Sequence, residues 1–175
     1  MSRPIGSGER SRFYRGAPWP SWAAATVWAV SVAVGAAGLL AMAAGLVDLL
    51  GDGDDTVPLL VSGGSAGLLA SVLAVWVRPP DRLRHADILC AITGSLVLFI
   101  VLVSGLLLVT RPSKSLADAL FQAATVGTTT ALEIVPVDAS DHAERFLVGG
   151  AQWLGGIGAL LVAVAILPFF GAGKE

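Results

Sequence analysis

The run Val126-Gly127-Thr128-Thr129-Thr130-Ala131 holds the residues of this sequence best suited to chemistry. Three β-branched residues after a glycine favour an extended backbone. An extended threonine-rich strand can turn carbonyl and hydroxyl oxygens toward a cation in place of its hydration shell. Other chemistries lack the residues to carry them. Cys90 is the only cysteine, so neither an intrachain disulfide nor a cysteine-based metal cluster can form, and a lone cysteine in an apolar stretch reads as a small filler. His85 and His142 lie in charged segments, and neither has a second histidine at metal-ligand spacing. No nucleophile–base pair or metal set falls within the apolar stretches, which argues against an enzyme. Gln152 is polar in apolar surroundings; it either bonds a neighbouring backbone group or helps coordinate an ion.

Composition decides what must position these residues. Of 175 residues, 55% are hydrophobic and 14% charged, against about 25% charged in an average soluble domain. Four stretches free of charge, 22–47, 57–77, 88–109 and 146–170, carry most of the apolar content. Each reaches the ~20 residues that a helix needs to cross a bilayer. Secreted, nucleic-acid-binding and soluble-enzyme classes are excluded, and an all-α integral membrane protein is expected. The first stretch is too long, and starts too far from the N-terminus, for a cleaved signal peptide. Gly35, Gly38 and Gly45 in the first stretch and Gly63, Gly64 and Gly67 in the second would let two helices approach closely in lipid. None of the four stretches contains Asp, Glu, Lys, Arg or His, which argues against a proton relay.

Charge sets the expected orientation. Arg3, Arg10, Arg12 and Arg15 precede the first stretch, Arg78, Arg82 and Arg84 follow the second, and Lys174 follows the fourth. The connection after the first stretch carries Asp48, Asp52, Asp54 and Asp55 and no basic residue. The positive-inside rule then puts both termini and the second connection in the cytoplasm. Trp19, Trp22 and Trp76 fall at that boundary, where indole rings prefer to sit.

The third connection is not simply polar. Ser115 followed by Asp118 is a capping-box-like helix start. Leu116, Leu120, Phe121 and Ala124 recur at helical spacing, giving a helix of about three turns, too short to span. The threonine run follows, then an acidic exit through Asp138, Asp141 and Glu144. Helix, half-helix, extended segment, helix is the layout of a pore loop, since non-helical backbone at membrane depth must line a cavity or be buried in protein. Entering from outside, the half-helix would point the negative end of its dipole at the membrane centre. Nine acids in the outer connections would concentrate cations there. The same layout also describes an ordinary extracellular loop with a surface helix.

Leu116-Ala-Asp-Ala-Leu-Phe121, Thr128-Thr-Thr130, Gln152-Trp-Leu-Gly-Gly156 and Ala163-Val-Ala-Ile-Leu-Pro168, in this order, resemble the Trk/Ktr/HKT family of potassium transporters, the bacterial Trk type in particular, over roughly residues 22–173. Gly, Ser, Pro and Arg dominate residues 1–21, which read as a flexible cytoplasmic arm; the resemblance implies an appended transmembrane helix pair at 22–85 and the first membrane–pore–membrane repeat at 86–175, with its pore loop at about 115–137. The expected fold is four transmembrane helices plus one re-entrant pore helix and filter loop between helices three and four. The resemblance further implies a bacterial plasma membrane, potassium as transported substrate with no other cofactor, and a filter of Thr128, Thr129, Thr130 and Ala131 that binds K+ only in an assembled pore. Asp118, Phe121, Gln152, Gly155 and Gly156 would support the pore helix and its packing, and Pro168 would kink or end the last helix.

Two features depart from the family. Ala131 stands where the family's threonines lead into a filter glycine, and alanine resists backbone angles that glycine reaches; weaker potassium selectivity is implied. One filter strand also cannot encircle an ion, so the other repeats are expected from other chains or a longer form, alongside a cytosolic nucleotide-binding regulator. The alternative is a non-conducting truncated or accessory membrane protein that assembles with a longer pore-forming chain.

Overall fold

The computed structural model describes residues 21–51, 53–77, 85–110, 115–130, 132 and 141–171. These form five helices and, among the described residues, no strand: α1 (Ser21–Leu50), α2 (Thr56–Trp76), α3 (His85–Thr110), α4 (Leu116–Gly127) and α5 (His142–Gly171). The arm before Ser21, the arginine-rich connection 78–84, Ala131 and the remainder of the expected pore loop at 133–137 lie outside the described residues.

Four of the helices, all but α4, are long and apolar enough to cross a membrane. They are hydrophobic all round, the pattern of a helix bathed in lipid or buried in protein. Leu39, Val75, Trp76 and Trp153 are each more than two-thirds exposed; such a surface would associate in water and is at home in hydrocarbon. Hydroxyls inside these helices are satisfied locally. Ser31, Ser62, Ser95 and Ser104 each donate to the carbonyl three residues back, so none is left dry without an acceptor. Cys90 is free and exposed on α3, which corrects the expectation of a buried filler. Helix α5 continues through Pro168 to Gly171, so that proline does not end it.

Helix α1 is the centre of the assembly, packed against α2, α3 and α5. Its buried face is built from Ala33, Ala37, Leu40, Ala41 and Ala44, and small side chains bring the partner backbones close. The crossing with α2 is tightest at Gly38 and Gly63. A Cβ added to Gly63 would lie 2.7 Å from the Gly38 carbonyl oxygen and 2.6 Å from the Met42 side chain. Gly150 of α5 accommodates the Leu40 side chain in the same way. Helix α1 thus joins the first helix pair to the later helices.

The α1–α2 connection is closed by its own polar groups. Asp48, in the last turn of α1, is buried and accepts a hydrogen bond from the Thr56 hydroxyl at 2.9 Å. The Gly53 amide donates to the Asp48 carbonyl at 3.0 Å. The connection also meets the start of α5: a Cβ on Gly51 would lie 2.8 Å from the His142 ring. Asp141 caps α5 by accepting from the Glu144 amide at 2.8 Å, and Glu144 itself is fully buried. Asp48 and Glu144 are therefore parts of the packing, not members of a solvated acidic mouth.

Asp55 is the N-cap of α2 but makes no side-chain cap bond. Partial burial, then the carboxylates of Asp141, Asp48 and Asp54, hold its pKa above the ordinary 3.8. A folded state that holds a proton more tightly than the unfolded chain is favoured below the ordinary pKa, and that stability is lost as pH rises through the raised one. Asp55→Asn is therefore expected to raise the melting temperature at neutral pH, by an amount that shrinks toward zero below pH 3.8. Thermal unfolding across pH in detergent checks this, and a difference that grew in acid would contradict it.

Candidate functional site

Helix α4 is seated between α3 and α5. Its start is fixed by Ser115, whose Oγ accepts from the Asp118 amide at 3.1 Å and donates to Asp118 Oδ2 at 2.6 Å. Asp118 thus returns to the cap hydroxyl, where a full capping box would reach the cap amide.

The face of α4 that packs is not the one expected from its large apolar residues. Ala119, Gln122, Ala123 and Val126 are buried on one face, Gln122 and Ala123 three and four residues after Ala119, whereas Leu116 and Phe121 are 61% and 40% exposed. Two helices can clasp a third closely only through small side chains, so the alanines turn inward and the bulky residues outward. Phe121 contributes to the outer surface of α4.

The end of α4 corrects the expectation of an extended strand from Val126. The helix continues to Gly127, and Thr128 (φ −93°, ψ 5°) begins a turn. Thr129 takes φ 61°, the left-handed region in which a β-branched residue is a genuine outlier. The Thr129 amide donates to Val126 O at 3.0 Å and the Thr130 amide to Thr125 O at 2.8 Å. This is a Schellman cap with threonine where glycine is usual. Propensity favoured a strand, and the need to satisfy the helix's last carbonyls prevailed.

The three amides of this turn, with the hydroxyls of Thr128 and Thr130, are directed back into the chain. The Thr128 amide reaches Ala124 O at 2.9 Å, and the Thr128 hydroxyl donates to the same oxygen at 2.7 Å. With that proton committed, Thr128 Oγ1 accepts from the Thr130 hydroxyl at 2.9 Å. The described residues contain no cis peptide bond, and a trans peptide opposes its N–H and C=O. Amides pointing back toward α4 therefore send the Thr128 and Thr129 carbonyls away from it. What the backbone presents outward is carbonyl oxygen with lone pairs, from Thr128 and Thr129, at the negative end of a helix dipole. Such a surface suits a cation and repels an anion.

Two further contacts hold the turn. A Cβ on Gly155 would collide with the Gly127 carbonyl, and one on Gly127 would lie 3.2 Å from the Ile100 side chain. The end of α4 therefore sits directly on the backbone of α5. A Cβ on Gly156 would lie 3.6 Å from Thr129 Cγ2. Thr129, Gln152, Trp153, Gly156 and Leu160 line an open groove of about 750 Å³ beside the turn. The structure thus brings Thr128, Thr129, Thr130, Gln152, Gly155 and Gly156 together, with Asp118 at the other end of α4 and Phe121 on its outer face. Sequence reasoning missed buried Gln122 and Thr125, polar residues one helical turn apart facing α3 and α5.

The Gly155 seat generates a paired prediction. Gly155→Ala should lower stability by about 1–3 kcal/mol, the usual cost of forcing atoms into a filled interface. Gly158→Ala, where a Cβ meets open space, should leave it unchanged or raise it by up to ~1 kcal/mol through helix propensity. Thermal unfolding of both variants checks the pair, and equal effects would remove the seat.

Comparison with known proteins finds relatives of one kind. The chain is 41% identical over 63 residues to the Trk system potassium uptake protein TrkH of Escherichia coli K12, a match covering 35% of this chain and 13% of that protein. It is 32% identical over 110 residues to the Trk system potassium uptake protein TrkI of Halomonas elongata, covering 61% and 22%. TrkH of Vibrio parahaemolyticus matches at 41% over 68 residues, covering 38% and 14%. No family model and no solved structure matches. The matches span between 13% and 22% of the length of these curated relatives, so the similarity to Trk potassium uptake proteins is one of segments.

Proposed function

We propose that this chain contributes one quarter of the selectivity filter of a Trk-type uptake transporter for potassium, with α4 as a re-entrant pore helix. The carrying observation is the pair of outward-facing carbonyl oxygens, of Thr128 and Thr129, that the turn leaves at the end of α4. Its depth supports the reading. Gly127 packs at Ile100, ten residues before the end of α3, and at Gly155, thirteen residues into α5. At 1.5 Å per residue these lie about 15 Å and 20 Å along two membrane-length helices. A twelve-residue helix covers about 18 Å, so α4 is long enough to carry its last turn to mid-membrane. The similarity to proteins named for potassium uptake supplies the ion. Ala131 follows the threonines, and the lost glycine freedom weakens selectivity against sodium.

A cation in such a site must be surrounded, and one strand offers oxygens from one side only. The remaining strands come from further repeats, in other chains or a longer form, and a cytosolic nucleotide-binding subunit regulates the whole. The helix pair α1–α2 precedes the repeat formed by α3, α4 and α5. The arginines before α1 and between α2 and α3 keep both termini in the cytoplasm.

Orientation is checked by cysteine labelling in intact cells: Arg10→Cys and Arg82→Cys should resist a membrane-impermeant reagent, and strong labelling of either would reverse the topology. Transport is checked in a strain lacking its potassium uptake systems. A chimera in which residues 22–173 replace the corresponding region of E. coli TrkH should take up rubidium, and the 175-residue chain expressed alone should not. Rescue by the chain alone, or an inserted and stable chimera without rubidium uptake, would overturn the quarter-filter reading.

A further inference from the structure

Thr125 holds the turn from inside the helix. It is buried in the last full turn of α4. Its carbonyl accepts the Thr130 amide at 2.8 Å. Its hydroxyl proton is shared between the Gln122 carbonyl at 3.0 Å and the Leu132 carbonyl at 3.1 Å. The first of these two is the back-bond to its own helix that the serines of α1, α2 and α3 also make. The second leaves the helix and reaches seven residues ahead, past the threonine triplet. Thr125 therefore holds the chain on both sides of Ala131, at Thr130 by its carbonyl and at Leu132 by its hydroxyl.

We infer that Thr125 is the positioning residue of the proposed filter, a brace that fixes where the chain runs after the triplet and so the angle at which the outward carbonyls meet an ion. The inference rests on the quarter-filter reading and names the residue that sets its selectivity. The energetics suit this role. The bond to Leu132 lies outside the backbone ladder of α4, so its loss leaves the helix's own hydrogen bonds in place. Loss of the brace moves oxygens without unfolding α4. Selectivity depends on the number and field of those oxygens, and a small displacement changes both.

The test uses Thr125→Val, which keeps the branched shape and removes the hydroxyl, and Thr125→Ser, which keeps the hydroxyl. In the chimeric transporter, Thr125→Val should lower the rubidium-to-sodium influx ratio about two- to tenfold, the range spanned by the net worth of one hydrogen bond. Thr125→Ser should hold the ratio near that of the parent. In the purified 175-residue chain, amide hydrogen exchange across 126–132 should accelerate in the valine variant and not in the serine variant. A selective parent whose ratio is unmoved by Thr125→Val would overturn the brace and leave the quarter-filter reading standing. Equal acceleration of exchange in both variants would also overturn the brace. A parent chimera that carries no rubidium flux would overturn the reading and the brace together.

Discussion

Hydrocarbon offers no partner to a backbone amide, so every donor buried in it must find an acceptor within the protein. On the proposed re-entrant placement, the end of α4 is shaped by that constraint. A helix leaves its last carbonyls open, and the three threonines after Gly127 close them with their own amides and the Thr128 hydroxyl. The closure requires the left-handed turn at Thr129, which costs a β-branched residue about 1–3 kcal/mol. The backbone polarity displaced by it is directed outward as carbonyl oxygen. Satisfaction of the helix and the outward turn of the Thr128 and Thr129 carbonyls are one geometric event.

The rest of the fold serves to hold that turn. Small residues at Gly38 and Gly63 bring α1 and α2 together, the alanine face of α1 gathers α3 and α5, and Gly155 lets the Gly127 carbonyl rest on the α5 backbone. Each contact depends on the absence of a side chain, which is how helices approach closely where no hydrophobic drive exists between them. The large side chains left outside, among them Trp76, Phe121 and Trp153, cost nothing in lipid. In the proposed function, those near the turn form the surface on which further repeats of a pore would close.

Much of this was legible in the residues. Charge-free stretches of membrane length fixed four helices, and Ser115 with Asp118 placed the start of α4. The glycine spacing announced the tight crossing of α1 and α2. Legibility failed where tertiary demands outweigh local preference. Three consecutive threonines favour a strand, and the open carbonyls of α4 turned them into a cap. The bulky residues of α4 form an apolar stripe, and the narrow space between α3 and α5 admitted the alanines instead. Asp48 and Glu144 look like surface acids beside polar connections, yet each is drawn into the packing at a helix end. Thr125 was overlooked because its role depends on a contact seven residues away, which no periodic pattern signals.

The central claim is that the oxygens at the end of α4 meet a dehydrated cation at mid-membrane depth. Anomalous diffraction from crystals of the assembled transporter grown in rubidium tests it most directly. The account predicts an anomalous peak at coordination distance from the Thr128 or Thr129 carbonyl, level with Ile100 and Gly155. An ordered rubidium ion elsewhere in the pore, with the end of α4 lying at the membrane surface, would contradict it.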